Sequence, residues 1–158
     1  AILGQQVGVA AATTLAGRLA ARFGEPLEGA PAGVDRCFPD ATTLASQDED
    51  SLRALGILAS RARSILALAR AMSDGALVLD PLAPVEPALA ALRVLPGIGE
   101  WTAQYIALRC LSWPDAFPHT DLIIRRAFPD QSPGQMLAAA DPWRPWRGYA
   151  TLHLWRRS

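Results

Sequence analysis

Residues 95–105 read L-P-G-I-G-E-W-T-A-Q-Y, with two glycines around one isoleucine directly after a proline. Pro96 prevents a preceding helix from continuing. Gly97 and Gly99 permit backbone dihedral angles that a Cβ would forbid, and Ile98 between them can point into the core. A helix that begins near Gly99 has N–H groups without internal partners at the positive end of its dipole. The stretch therefore predicts a tight turn between two helices.

Backbone amides at such a helix start form a small anion site, for which a phosphate is the obvious ligand. Gly97 and Gly99 would let a phosphate approach closely, and the Thr102 hydroxyl could add a hydrogen bond. The alternative is a plain turn between helices that binds nothing.

The segments around this turn predict an all-α chain, because alanine- and leucine-rich stretches recur between proline and glycine breaks. Ser46 is the expected N-cap of one helix, with Glu49 completing a capping box. Pro84 and Pro133 suit first helical turns. We predict helices at residues 2–22, 41–45, 47–54, 58–73, 84–94, 99–112, 121–127, 133–139 and 145–157.

Composition excludes several classes of protein. The 158 residues contain no apolar run long enough to span a membrane and no signal-peptide layout. Because the chain starts at Ala1 without a methionine, we expect a fragment of a longer protein. Cys37 and Cys110 are too few for a four-cysteine iron–sulfur cluster, and we expect both to be buried thiols. All fifteen basic residues are arginine, so no lysine can form a Schiff base.

Charge is unevenly distributed although the net charge is zero. Residues 1–92 carry seven arginines and ten acids, whereas residues 93–158 carry eight arginines and five acids. The second part, which contains the turn, is therefore the one with a positive balance.

The L-P-G-I-G turn reproduces the hairpin of the helix-hairpin-helix motif, which binds the DNA backbone without reading sequence. Residues 95–128, the segment W-R-P-W-R-G-Y-A-T-L-H-L-W at 143–155 and I-L-G-Q-Q-V at 2–7 extend the likeness. The chain resembles the 3-methyladenine DNA glycosylase II (AlkA-like) branch of the helix-hairpin-helix DNA glycosylases. The resemblance implies one catalytic domain over 1–158, built as two helical lobes with a cleft between them and lacking the family's N-terminal α/β subdomain.

The resemblance places the family's catalytic aspartate at Asp121, within F-P-H-T-D-L-I-I-R-R-A-F. The alternative is that Asp121 or Thr120 only caps the helix that follows. The two roles are compatible, since a helix N-terminus favours an ionised carboxylate. One carboxylate suffices for alkylated purines because their cationic base already leaves easily, in contrast to the two carboxylates that neutral glycosides need.

Aromatic residues would form the pocket for the damaged base. Trp101 and Tyr105 share one helical face, Trp155 matches the family's other aromatic position, and Leu122 stands where an aromatic is common. A cationic base stacked on such rings gains cation–π energy, so the pocket selects by charge. The alternative is that these aromatic residues belong to the core.

Further functional residues also follow from the resemblance. Gln6 is the wedge that fills the space of an extruded base, with a solvent-facing glutamine as the alternative. No cofactor is required, but a structural Na⁺ or K⁺ is expected on the main-chain carbonyls of Arg93, Leu95 and Ile98. Trp101 stands where strand-cleaving relatives carry lysine, which predicts a monofunctional enzyme. Five arginines are candidates for phosphate contact, and about two of them are expected to make one. The candidates are Arg109, Arg125, Arg126, Arg144 and Arg147.

The expected partner is double-stranded DNA with alkylated bases, with no membrane association, and we expect a monomer in the bacterial cytoplasm. His153, inside an apolar run, is expected to be a hydrogen-bonded structural histidine. The main alternative function is a non-catalytic helix-hairpin-helix module that only grips DNA. A glycosylase for mismatched or oxidised bases is a third possibility, which the missing cysteines and lysine disfavour.

Overall fold

The regular structure of this chain is helical. A computed structural model describes residues 1–31 and 33–157. This part contains no strand, only an isolated antiparallel bridge between Pro26 and Arg36. It contains two short 3₁₀ turns, Ile2–Gly4 and Asp141–Trp143, and nine α-helices. The helices are α1 (Val9–Phe23), α2 (Ala41–Ala45), α3 (Glu49–Arg53), α4 (Ala59–Ser73), α5 (Val85–Arg93), α6 (Glu100–Arg109), α7 (Leu122–Ala127), α8 (Pro133–Ala139) and α9 (Arg147–Arg156).

The predicted helix at 2–22 is wrong at its start, whereas the other eight predicted helices are confirmed with ends within three residues. The chain makes one 3₁₀ turn at Ile2–Gly4, and α1 begins only at Val9, after Gly8. Between them Gln6 has a left-handed φ of 55°. A non-glycine residue in that conformation interrupts an α-helix.

Two of the predicted helix starts need correction. Asp48, not Ser46, is the N-cap of α3, and its carboxylate accepts a 2.7 Å bond from the Ser51 amide. That bond lowers the pKa of Asp48. Pro84 immediately precedes the first residue of α5 instead of lying in its first turn. Pro133 is confirmed at the start of α8, where Ser132 forms a capping box with Gln135.

The chain divides into two compact units, in keeping with the two lobes that were predicted. Unit 1 comprises Ala1–Val78 and Leu95–Gly97. In it α4 packs against α2, α3 and the first 3₁₀ turn. The face of α4 that carries Ala62, Ile65 and Ala69 is buried, because these positions follow the helical repeat.

Unit 2 comprises Leu79–Val94 and Ile98–Ser158. Here α5 packs against α6, and α7 packs against α9. Phe117, Ile124 and Ala140 form a buried cluster against which Phe128 and Leu154 pack. This cluster fixes α7, which carries Asp121 at its start.

Three expectations about surface and core can be checked directly. No helix in the described ranges is long and apolar enough to cross a membrane. Cys37 and Cys110 are exposed, so the expectation of buried thiols is wrong. His153 is also exposed on α9, which contradicts a structural role in the core. The apolar neighbours of His153 point to other faces of the same helix.

Candidate active site

Asp121 is the N-cap of α7, as its sequence position allowed. Its Oδ1 accepts hydrogen bonds from the Ile123 amide at 2.9 Å and from the Ile124 amide at 3.3 Å. Its own amide donates to the Pro118 carbonyl at 2.8 Å, which closes a tight turn before the helix. Capping by Asp121 is therefore confirmed, which is compatible with a catalytic role, and it fixes the carboxylate in one orientation.

Two indole groups also hold this carboxylate. The Trp101 Nε1–H donates to Asp121 Oδ2 at 2.8 Å, and the Trp155 Nε1–H donates to Oδ1 at 3.1 Å. An ionised carboxylate only accepts hydrogen bonds, through about four lone-pair positions, so it matches these N–H donors. Oδ1 accepts three of the four bonds and Oδ2 accepts one. Oδ2 is thus the oxygen with acceptor capacity left for another group.

The three predicted pocket aromatics lie together beside Asp121. The ring centroids of Trp101 and Tyr105 are 5.1 Å apart, and those of Tyr105 and Trp155 are 5.9 Å apart. All three side chains are partly exposed, unlike fully packed core residues. A base inserted between two rings needs about 7 Å, twice the ordinary carbon–carbon contact distance. Neither of these two ring pairs is therefore far enough apart to hold a base between its rings.

Leu122 lies next to Asp121 with 63% of its surface exposed. Its side chain therefore remains free to contact a ligand beside the carboxylate. Two other tryptophans of unit 2 pack against different aromatic residues. Trp143 packs against Phe117 and Phe128, and Trp146 packs against Tyr149.

A chain of hydrogen bonds supports the segment that leads to Asp121. The buried Gln104 side chain accepts from the Phe117 amide at 3.0 Å and donates to Glu100 at 2.9 Å. Arg93 donates two bonds to Glu100, at 2.7 and 2.9 Å. The bonds from Arg93 outweigh partial burial and lower the pKa of Glu100, while the same bonds raise the pKa of Arg93. The negative charge at the start of α6 is thereby compensated.

The two hairpin glycines play different parts. Gly97 has a left-handed φ of 73°, and a Cβ there would lie 2.1 Å from Ser64 Oγ. Gly99 has a φ of −85° and a ψ of −179°, which any residue adopts, so the dihedral argument for Gly99 is wrong. A Cβ on Gly99 would meet nothing within 4 Å. Open space at this helix start still permits close approach by a ligand.

Two other residues predicted to act at the hairpin have different outcomes in the structure. Ile98 is 3% exposed and points into the core, as expected. Thr102 is also 3% exposed, which argues against the predicted contact between its hydroxyl and a phosphate. Thr102 lies on the inner side of α6.

Gln6 is exposed, and its loop is tied to the hairpin within unit 1. The neighbouring Gln5 donates from Nε2 to the Gly97 carbonyl at 2.9 Å. The carbonyl of Gln5 accepts a bond from Arg61 on α4. These contacts hold the backbone on the N-terminal side of Gln6.

The five arginines proposed for phosphate contact have different surroundings. Arg147 is 5% exposed and forms a bidentate pair with Asp115, both bonds measuring 2.7 Å. Arg147 is therefore not available to a phosphate, which leaves four of the five candidates. Arg144 bonds Asp115 at 2.6 Å and Asp141 at 2.8 Å. The other three, Arg109, Arg125 and Arg126, are exposed.

Sequence reasoning missed the position of Arg109 relative to the aromatic rings. Its guanidinium carbon lies 5.9 Å from the Tyr105 ring centroid and 5.9 Å from the Trp155 ring centroid. The spacing of four residues between Tyr105 and Arg109 on α6 is a signal that could have predicted the first contact.

Comparison with known proteins identifies the family of this chain. The model of the HhH-GPD superfamily of base excision DNA repair proteins matches residues 1–132. The chain is 43% identical over 155 residues to DNA-3-methyladenine glycosylase 2 of Escherichia coli (strain K12), covering 98% of this chain and 54% of that protein. The 3-methyladenine DNA-glycosylase from Archaeoglobus fulgidus superimposes with a TM-score of 0.78 at 25% identity, over 97% of this chain and 54% of that one.

An 8-oxoguanine glycosylase/lyase from Clostridium acetobutylicum shares the fold, with a TM-score of 0.81 at 19% identity over 98% of this chain and 56% of that one. The chain spans about half the length of these relatives. The family model nevertheless covers the glycine hairpin, Trp101, Tyr105 and Asp121 together. By sequence and by fold, the chain belongs to the HhH-GPD superfamily of base excision DNA repair proteins.

Proposed function

We propose that this chain is the N-glycosidase domain of a base excision repair enzyme that removes alkylated purines from double-stranded DNA. The observation that carries the proposal is the Asp121 carboxylate, held by four N–H donors beside a group of partly exposed aromatic rings. A module that only grips the DNA backbone needs neither feature. Relatives named DNA-3-methyladenine glycosylase support the substrate class.

The chemistry follows from the leaving group. Alkylation at N3 or N7 makes a purine cationic, so its departure needs no acid to protonate it. As the glycosidic bond breaks, positive charge moves to the sugar. Asp121 Oδ2 retains acceptor capacity to stabilise that charge or to orient the attacking water. Because the carboxylate is fixed beforehand, this electrostatic stabilisation costs little reorganisation in the transition state.

Aromatic rings would bind the extruded base. Cation–π attraction favours a cationic base by on the order of 0.5–2 kcal/mol per ring. Because the Tyr105 ring stacks on Trp101 and lies tilted against Trp155, we place the base on an outer ring surface, next to the exposed Leu122. Entry between two rings would first require their separation.

DNA binding is assigned to the hairpin and to the loop with Gln6. The amides at the start of α6, with open space at Gly99, suit a phosphate. Extruding a base costs a few kcal/mol, and Gln6 would fill the resulting gap. The main-chain carbonyls of Arg93, Leu95 and Ile98 remain our proposed ligands for a structural Na⁺ or K⁺. These neutral oxygens would complete the hairpin without taking part in catalysis.

We further propose that the domain leaves an abasic site and does not cut the strand. Strand cleavage through an imine needs an amine nucleophile, and the sequence has no lysine to supply one from a side chain. Borohydride reduction during turnover should therefore trap no covalent complex between protein and DNA. A trapped complex would contradict the monofunctional assignment.

The principal test is to incubate the domain with a methylated duplex and identify the released bases by chromatography. Asp121→Asn should reduce release at least about 100-fold while DNA affinity stays within twofold, because asparagine caps a helix as well as aspartate does. Asp130→Asn is the matched control, since Asp130 is exposed and its φ of 60° suits asparagine. Release by Asp121→Asn at the wild-type rate would refute the catalytic role. DNA binding without release by the wild type would favour the gripping module.

A further inference from the structure

Arg109 places a positive charge on the aromatic group that is proposed to bind the damaged base. Its guanidinium carbon lies 5.9 Å from the ring centroids of both Tyr105 and Trp155. Arg109 is exposed, and no carboxylate of residues 1–31 or 33–157 lies within salt-bridge distance of it. Among the described residues, no ion pair therefore cancels its positive charge. A bound base and this guanidinium would share the same rings.

We propose that Arg109 is a specificity-determining residue that shifts the preference of this site from cationic toward neutral damaged purines. The inference rests on the proposed function, because it requires the base to contact the Tyr105 and Trp155 rings. It concerns the electrostatic energy of the base, not the attachment of the protein to the DNA backbone.

The change in charge on the base during the reaction gives the reason. When the bond between C1′ and the purine nitrogen breaks, its electron pair goes to the purine. A cationic base becomes neutral, whereas a neutral base becomes an anion that water later protonates. Water adds its hydroxyl group to C1′ and releases its other proton to Asp121 or to solvent. The charge on the base thus becomes more negative by one unit in either case.

A nearby guanidinium acts differently on the two kinds of lesion. It repels a cationic base in the bound state but has little effect on the nearly neutral base in the transition state. It has little effect on a neutral base in the bound state but stabilises the developing anion. The guanidinium also repels the positive sugar, but this effect is the same for both lesions and cancels in the ratio of their rates. For unit charges about 8 Å apart at a partly solvated site, the differential effect is about fivefold.

The test compares kcat/KM on two matched duplexes, one with 7-methylguanine as the cationic lesion and one with hypoxanthine as the neutral lesion. Arg109→Gln should raise the ratio of kcat/KM for 7-methylguanine to kcat/KM for hypoxanthine about fivefold, mainly by slowing hypoxanthine release. It should also tighten binding of the cationic lesion. Arg109→Lys, which keeps the charge, should return the ratio to within twofold of wild type.

The control variant is Arg126→Gln, which removes an exposed arginine of α7. Loss of a phosphate contact lowers kcat/KM equally for both lesions, so the ratio of the two kcat/KM values should stay constant in Arg126→Gln. Partial unfolding would likewise lower both values without changing their ratio. An unchanged ratio in Arg109→Gln, or no recovery in Arg109→Lys, would overturn this inference and leave the glycosylase assignment intact. A wild type that releases 7-methylguanine but no hypoxanthine would also overturn it. A wild type that releases neither base would overturn the proposed function, and the inference with it.

Discussion

The hydrogen bond from Trp101 to Asp121 permits a sharp test of how the carboxylate works. Trp101→Phe keeps an aromatic ring next to Tyr105 but removes the one N–H group of residues 1–31 and 33–157 that donates to Oδ2, at 2.8 Å. A hydrogen bond to a charged group contributes about 1.5–3 kcal/mol. The lower end applies here because Trp101 is partly exposed. Since about 1.4 kcal/mol corresponds to a factor of ten, base release should slow about tenfold.

Trp155→Phe should have a smaller effect, about threefold. It removes one of three donors to Oδ1, and the Ile123 and Ile124 amides continue to hold that oxygen. The measurement is single-turnover release of 7-methylguanine from a methylated duplex, with DNA affinity measured in parallel. Trp146→Phe, at an exposed tryptophan that does not contact Asp121, is the control and should leave the rate unchanged. If Trp101→Phe matches wild type, or if Trp155→Phe is the slower variant, the indole bonds do not orient the carboxylate.

Two further predictions concern the hairpin. Gly97→Ala should destabilise the domain by about 2–3 kcal/mol, because it combines a left-handed φ with a Cβ 2.1 Å from Ser64 Oγ. Gly99→Ala should change stability by less than about 0.5 kcal/mol, because a Cβ there meets nothing within 4 Å. Thermal unfolding measures both, and equal shifts would contradict the difference between the two glycines. The lowered pKa of Glu100 means that its ion pair stabilises the fold above the ordinary glutamate pKa of about 4.3, and that this contribution is lost as pH falls through the folded-state value. Arg93→Gln should therefore lower the free energy of unfolding by about 0.5 kcal/mol at pH 7, after allowing for solvent screening. It should also weaken the fall of stability with pH on the acid side of the stability–pH curve. If the variant keeps the wild-type pH dependence there, the ion pair is not coupled to folding.

Much of the helical architecture was predictable because each helix carries local signals. Proline and glycine breaks, together with apolar repeats, located eight of the nine predicted helices. The break near Gln6 was missed because residues 2–22 are rich in apolar and small residues, a composition that also suits one long helix. Gly4 and Gly8 were the sequence signal that could have predicted the break in this helix. For α3, the spacing of Ser46 and Glu49 suited a capping box and so favoured Ser46, whereas the fold uses Asp48 as the cap.

The site was predictable in its membership but not in its contacts. Spacing placed Trp101 and Tyr105 on one helical face, and the resemblance to a known family added Asp121 and Trp155. The indole bonds to the carboxylate depend on rings 20 and 34 residues away along the chain, so no local pattern encodes them. The pairing of Arg147 with Asp115 likewise spans 32 residues, which explains why Arg147 was mistaken for a surface arginine.

The loop that precedes α1 has a consequence for the energetics of searching DNA. Gln5 joins the hairpin carbonyl of Gly97 through its side chain and Arg61 through its backbone, while Gln6 takes an uncommon left-handed conformation. These contacts therefore order the backbone beside Gln6, the residue proposed as the wedge, before any duplex is bound. Much of the conformational entropy that insertion would otherwise cost is already lost during folding. In the proposed wedge role, Gln6 would meet successive base pairs without reordering of its loop at each one.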